Sequence, residues 1–78
     1  MSNRPLYVIA KDIRASWPKM SPYARPYVDA MARLNGMGDV YIADDARSVV
    51  LRFLCNAGTW RGEDARRIKV ELKGMCDQ

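Results

Sequence analysis

Histidine is missing from this chain of 78 residues. Its absence removes the usual general base and the commonest metal ligand. Two cysteines, Cys55 and Cys76, are too few for a disulfide scaffold. Two separated thiols cannot complete a four-ligand zinc site unless carboxylates join them. Ser21 and Ser48 have no histidine to activate them, and the adjacent side chains of Asp44 and Asp45 diverge on a helix. Gly36 and Gly38 lack the remainder of any dinucleotide-binding fingerprint. A non-enzymatic protein is expected, with no catalytic residue, metal or cofactor.

Long apolar runs are also missing. The longest, such as residues 6–10, fall far short of the roughly 20 residues of a membrane span. Met1-Ser2-Asn3-Arg4-Pro5 has neither a long apolar signal core nor a small-residue cleavage site. A cytoplasmic protein with no membrane partner is expected. Cys55 falls within a helical pattern and reads as a small buried hydrophobe, while Cys76 reads as part of the tail.

What remains is apolar enough to fold and distinctly basic. Apolar residues make up 49% of the chain, which is typical of a globular protein and argues against disorder. The length suits one small, marginally stable domain. Thirteen basic residues, nine of them arginine, outweigh nine acidic ones and leave a net charge of +4. A pI near 9.4 points to nucleic acid or to an acidic protein surface.

The apolar spacing predicts an all-α fold, a compact bundle of four short helices near 5–17, 24–35, 44–57 and 60–73. A loop at 36–43 would join the middle two, with a hinge at 36–39 and Tyr41 or Ile42 entering the core. Leu6, Ile9, Ala10, Ile13 and Trp17 share the first face, and Ala24, Tyr27, Val28, Met31 and Leu34 the second. Asn35-Gly36 would end the second helix. The third helix carries Ala46, Val49, Val50, Phe53, Leu54 and Ala57 on one side and Leu51 and Cys55 on the other. Being apolar on two sides, it is expected to be the central helix. Gly58 would cap its end and Thr59 the start of the fourth. Ala65, Ile68, Leu72 and Met75 form the fourth inward seam. Glu63–Arg67 and Arg67–Glu71 have the spacing of helical ion pairs. Gly74 would end this helix.

Two features can carry function. Arg66, Lys69 and Lys73 lie within about 60° of one another at 100° per residue, beside Arg61 in the preceding turn. Together the last two helices form a helix-turn-helix-like pair, which suits a nucleic-acid contact or a solvated face. The spacing from Gly58 to the buried anchors is one residue off the usual reading-helix pattern. The second feature is aromatic and arginine-rich: Trp60 and Arg61 at the turn, and Tyr23 and Arg25 in the proline-containing stretch before the second helix. Trp and Arg dominate binding hot spots, although the favoured reading of Trp60 has it fold back onto the third helix and close the core, with Gly62 making room.

Several segments resemble a group of small proteins encoded by actinobacterial phages and prophages. They are Arg4-Pro5-Leu6-Tyr7, Pro26-Tyr27-Val28-Asp29-Ala30-Met31, Thr59-Trp60-Arg61-Gly62-Glu63, Ala65-Arg66-Arg67-Ile68-Lys69 and Glu71-Leu72. The resemblance implies a compact accessory protein in the host cytoplasm, acting by binding rather than catalysis. Two expectations follow. The favoured one is binding to a host or phage protein through Trp60, Arg61, Tyr23 and Arg25. The alternative is binding to DNA through Arg61, Arg66, Lys69 and Lys73. A homodimer through an exposed Leu51 or Val70 stays open.

Overall fold

Pro5 opens the first helix, α1 (Leu6–Ser16), from an extended conformation and without a side-chain cap. A helix start leaves backbone N–H groups without intrahelical partners. Here Leu6 N donates to Asn35 O at 2.9 Å and Tyr7 N to Leu34 O at 3.0 Å. The start of α1 is therefore sealed by the chain that leaves the second helix. The computed structural model describes residues 4–35, 40–41 and 44–76. The expected hinge at 36–39, Ile42 and the Tyr41 side chain lie outside the described residues.

Helix α2 spans Arg25–Met31, with Pro26 in its first turn. Proline is tolerated there because the early N–H groups need no intrahelical partner. Ser21 prepares the start: its Oγ accepts from Tyr23 N at 3.2 Å. The helix stops short of the expected Asn35-Gly36 end. Arg33 N→Ala30 O and Leu34 N→Met31 O, both 3.0 Å, tighten the exit. Beyond it the carbonyls of Leu34 and Asn35 accept from the start of α1.

Val40–Tyr41 (β1) and Asp44–Asp45 (β2) pair antiparallel, Val40 opposite Asp45 and Tyr41 opposite Asp44. Two residue pairs are a hairpin bridge rather than a sheet layer. Asp45 then caps α3 (Ala46–Cys55), its Oδ1 accepting from Ser48 N at 2.7 Å. That bond holds the Asp45 carboxyl below its ordinary pKa.

The helices pack in a ring, α1 on α2, α2 on α3, α3 on α4 (Glu63–Cys76) and α4 back on α1. The fold is all-α, a bundle of four short helices, as expected. The predicted central position of α3 is not. Leu51 is 44% exposed and Cys55 is exposed, so the second apolar side of α3 faces outward. Cys76 is buried at the end of α4 instead of belonging to a loose tail. Gly74 does not end α4, which runs two residues beyond it.

Inside the ring the core holds Leu6, Ile9, Ile13, Val28, Met31, Val50, Phe53, Ile68 and Leu72 at 0% exposure. No polar or charged residue is buried among the described residues. Burying one such large apolar side chain contributes about 1.5–3 kcal/mol.

Candidate functional site

The turn between α3 and α4 builds the candidate site. Asn56, not Gly58, closes α3, its Nδ2 donating to Arg52 O at 2.8 Å. Trp60 N donates to Ala57 O at 3.1 Å, which folds the indole inward. There Trp60 is 3% exposed and stacks on Trp17, with Phe53 edge-on to both rings. The ring of Trp60 is thus a core element and is not offered as an exposed anchor.

Gly62 then turns the chain into α4 at φ +112°, the one positive-φ glycine among the described residues. Its carbonyl accepts from Arg66 N at 3.0 Å. The helix accordingly starts at Glu63, and Thr59 is not its cap. Glu63 and Asp64 occupy the first turn and Lys73 the last, an order the helix dipole favours.

Two sets of charges separate around α4. On one flank, Arg4 clamps Glu71 through two bonds, Nε–Oε2 at 2.8 Å and Nη2–Oε1 at 2.6 Å. Arg4 also reaches Asp12 at 3.2 Å. Arg67 meets Asp12 at 3.1 Å and Asp64 at 3.2 Å. This network replaces the expected Glu63–Arg67 and Arg67–Glu71 pairs. Arg67 first, and Arg4 after it, hold the Asp12 carboxyl below its ordinary pKa. Asp12 and Asp64 in turn raise that of Arg67.

On the other flank lie the cations that the network leaves out. A groove of about 380 Å³ is lined by Trp60, Arg61, Gly62, Ala65, Arg66, Lys69, Val70 and Lys73. Four of its lining residues, Arg61, Arg66, Lys69 and Lys73, are cations. Among the described residues no carboxylate pairs with Arg61, Arg66, Lys69 or Lys73. Lys69 lies partly inside and donates from Nζ to Trp60 O at 2.6 Å. Burial chiefly lowers its pKa, and the neighbouring charges of Lys73 and Arg61 add to the effect. The like charges therefore sit close enough to repel one another.

Tyr23 and Arg25 belong elsewhere. Tyr23 is 75% exposed, and Arg25 lines a smaller cleft with Arg14, Trp17, Pro18, Met20 and Asp29. Arg14 and Asp29 form an ion pair at that cleft. The structure thus gathers the four nucleic-acid candidates into one groove and divides the protein-binding set between two places. The apolar member, Val70, was foreseen only as a dimer contact. Its outward position opposite the buried seam was the available signal.

The chain matches no protein-family model, no curated protein and no solved structure. Among the described residues there is no group of three or more potential metal ligands. Likewise no helix among them is long and apolar enough to cross a membrane.

Proposed function

We propose that this protein is a non-catalytic binder of nucleic acid and that the groove along α4 is its contact surface. The observation that supports this reading most is the gathering of Arg61, Arg66, Lys69 and Lys73 without a carboxylate partner among the described residues. Clustered like charges repel one another and are stabilised when a polyanion covers them. Two of the acidic residues of α4, Asp64 and Glu71, pair with Arg67 and Arg4 on the opposite flank.

The test is charge reversal with a matched control. Arg66→Glu/Lys73→Glu should abolish binding to a labelled nucleic acid at low salt. Lys19→Glu/Arg47→Glu makes the same change in net charge away from the groove and should keep most of it. Equal losses in the two variants would mean that overall charge, not the groove, attracts the ligand.

Binding to a host or phage protein is the second reading. Its support is the 75% exposure of Tyr23 near the cleft that Arg25 lines. Tyr23→Ala/Arg25→Ala should then weaken capture of such a partner and leave nucleic-acid binding unchanged.

A further inference from the structure

Val70 is 65% exposed and lines the groove with Arg61, Arg66, Lys69 and Lys73, for which the described residues supply no carboxylate. Arg66 precedes it by four residues and Lys73 follows by three, so all three share the outer side of α4. At 100° per residue Val70 stands roughly opposite the buried seam of Ala65, Ile68 and Leu72. Val70 thus places an apolar side chain on the otherwise polar outer face of α4. Gly74 lies one turn further along the same side. A Cβ added at Gly74 would meet nothing within 4 Å, so no packing inside the protein calls for glycine. Glycine weakens a helix relative to alanine, yet here it lowers the crest next to Val70. The outer side of α4 therefore carries Val70 and Gly74 near its centre, with Arg66 and Lys73 on one side and Glu63 in line with them at the start of the helix.

That profile selects among polyanions. Single-stranded nucleic acid is gripped by stacking its bases on aromatic faces. Among the described residues the only aromatic one lining the groove is Trp60, and its face is already stacked on Trp17. Duplex DNA offers a different surface. Its major groove, about 12 Å wide, admits an α-helix between two rows of phosphates and presents thymine methyl groups on its floor. The major groove of duplex RNA is too deep and narrow for this. With 14 residues, α4 is about 21 Å long and can lie across the DNA groove.

We propose that α4 enters the major groove of duplex DNA with Val70 against thymine methyl groups, Gly74 permitting close approach and Arg66 and Lys73 reaching phosphates. This rests on the nucleic-acid reading above. The experiment compares four labelled probes by fluorescence anisotropy at about 50 mM salt, where phosphate contacts are strong. They are an alternating A·T duplex, the same duplex with uracil for thymine, one unpaired strand of equal length, and a poly-glutamate peptide. The expected order is the thymine duplex first, the uracil duplex about fourfold weaker as for one buried methyl group, and the strand and peptide weaker still. Val70→Ser, at an exposed position, should fold normally and bind the two duplexes equally.

A strand that binds as tightly as the duplex would overturn the major-groove contact and leave the basic groove standing. So would equal binding of thymine and uracil duplexes by the unaltered protein. Full methyl sensitivity in Val70→Ser would remove Val70 from the contact. Tighter binding of poly-glutamate than of any nucleic acid, or no binding of any probe, would overturn the nucleic-acid reading itself.

Discussion

Trp17 and Trp60 stack with ring centroids 5.1 Å apart and 7° between their planes. The first ring follows α1 and the second precedes α4, so the stack joins the two ends of the ring of helices. Phe53 of α3 meets both rings edge-on, at 6.4 and 6.2 Å. Offset-stacked and edge-to-face pairs each add about 0.5–1.5 kcal/mol beyond the area they bury. Because the Trp60 ring is fixed inside, its carbonyl is held where Lys69 can reach it. Core packing and groove geometry therefore meet at one residue.

Trp60→Ala should destabilise the fold by about 3–5 kcal/mol, the usual effect of deleting a large buried aromatic. For a domain this small, that is a large part of the total stability. Urea unfolding followed by far-UV circular dichroism measures it. A loss under about 1 kcal/mol would mean that the ring is replaceable and the aromatic cluster is not central.

The two glycines of the α4 region should respond with opposite signs. Gly62→Ala forces a Cβ into the positive-φ region and should destabilise by about 1–2 kcal/mol, although the space around it is open. Gly74→Ala places a better helix former in an open position within α4 and should stabilise by up to about 1 kcal/mol. Midpoints from chemical unfolding decide both. Equal shifts of one sign would contradict the assigned start of α4 at Glu63.

Acid should loosen the clamp between α1 and α4. The folded-state pKa of Asp12 is lowered, first by its bond to Arg67 and then by Arg4. Such a carboxylate contributes stability that is fully present above its unfolded value, about 3.9. That contribution is lost as pH falls through the lower folded value. Stability should therefore fall below about pH 4, and Asp12→Asn should be less stable at neutral pH with a flatter acid limb. Asp45 shifts the same way through its bond from Ser48 and adds to the acid limb. An unchanged acid profile in Asp12→Asn would show that the network carries no net stability.

The helical faces were legible in the sequence because their cause is local. Leu6, Ile9, Ala10, Ile13 and Trp17 recur at helical spacing and are all buried, as are Ala65, Ile68, Leu72 and Met75. Helix ends were less legible because their partners are remote. Leu34 and Asn35 serve α1 with their carbonyls, a bond across the fold that no local pattern announces. Arg4 and Glu71 are separated by 67 positions, and their pairing decides which flank of α4 stays basic. For that reason the sequence alone does not show that Asp64 and Glu71 are held away from the basic groove. Leu51 and Cys55 misled in the opposite direction: apolar character alone does not require burial.

The most direct test of the basic groove is the salt dependence of binding to a random-sequence DNA duplex, followed by anisotropy from about 50 to 200 mM salt. If Arg61, Arg66, Lys69 and Lys73 each neutralise one phosphate, the log–log slope should be about −3.6 and affinity should fall by roughly 150-fold across that range. Replacing Arg66 by Glu should weaken binding and reduce the slope by about one. A flat salt dependence, or no binding at the lowest salt, would contradict the account and leave the groove as an unoccupied basic face.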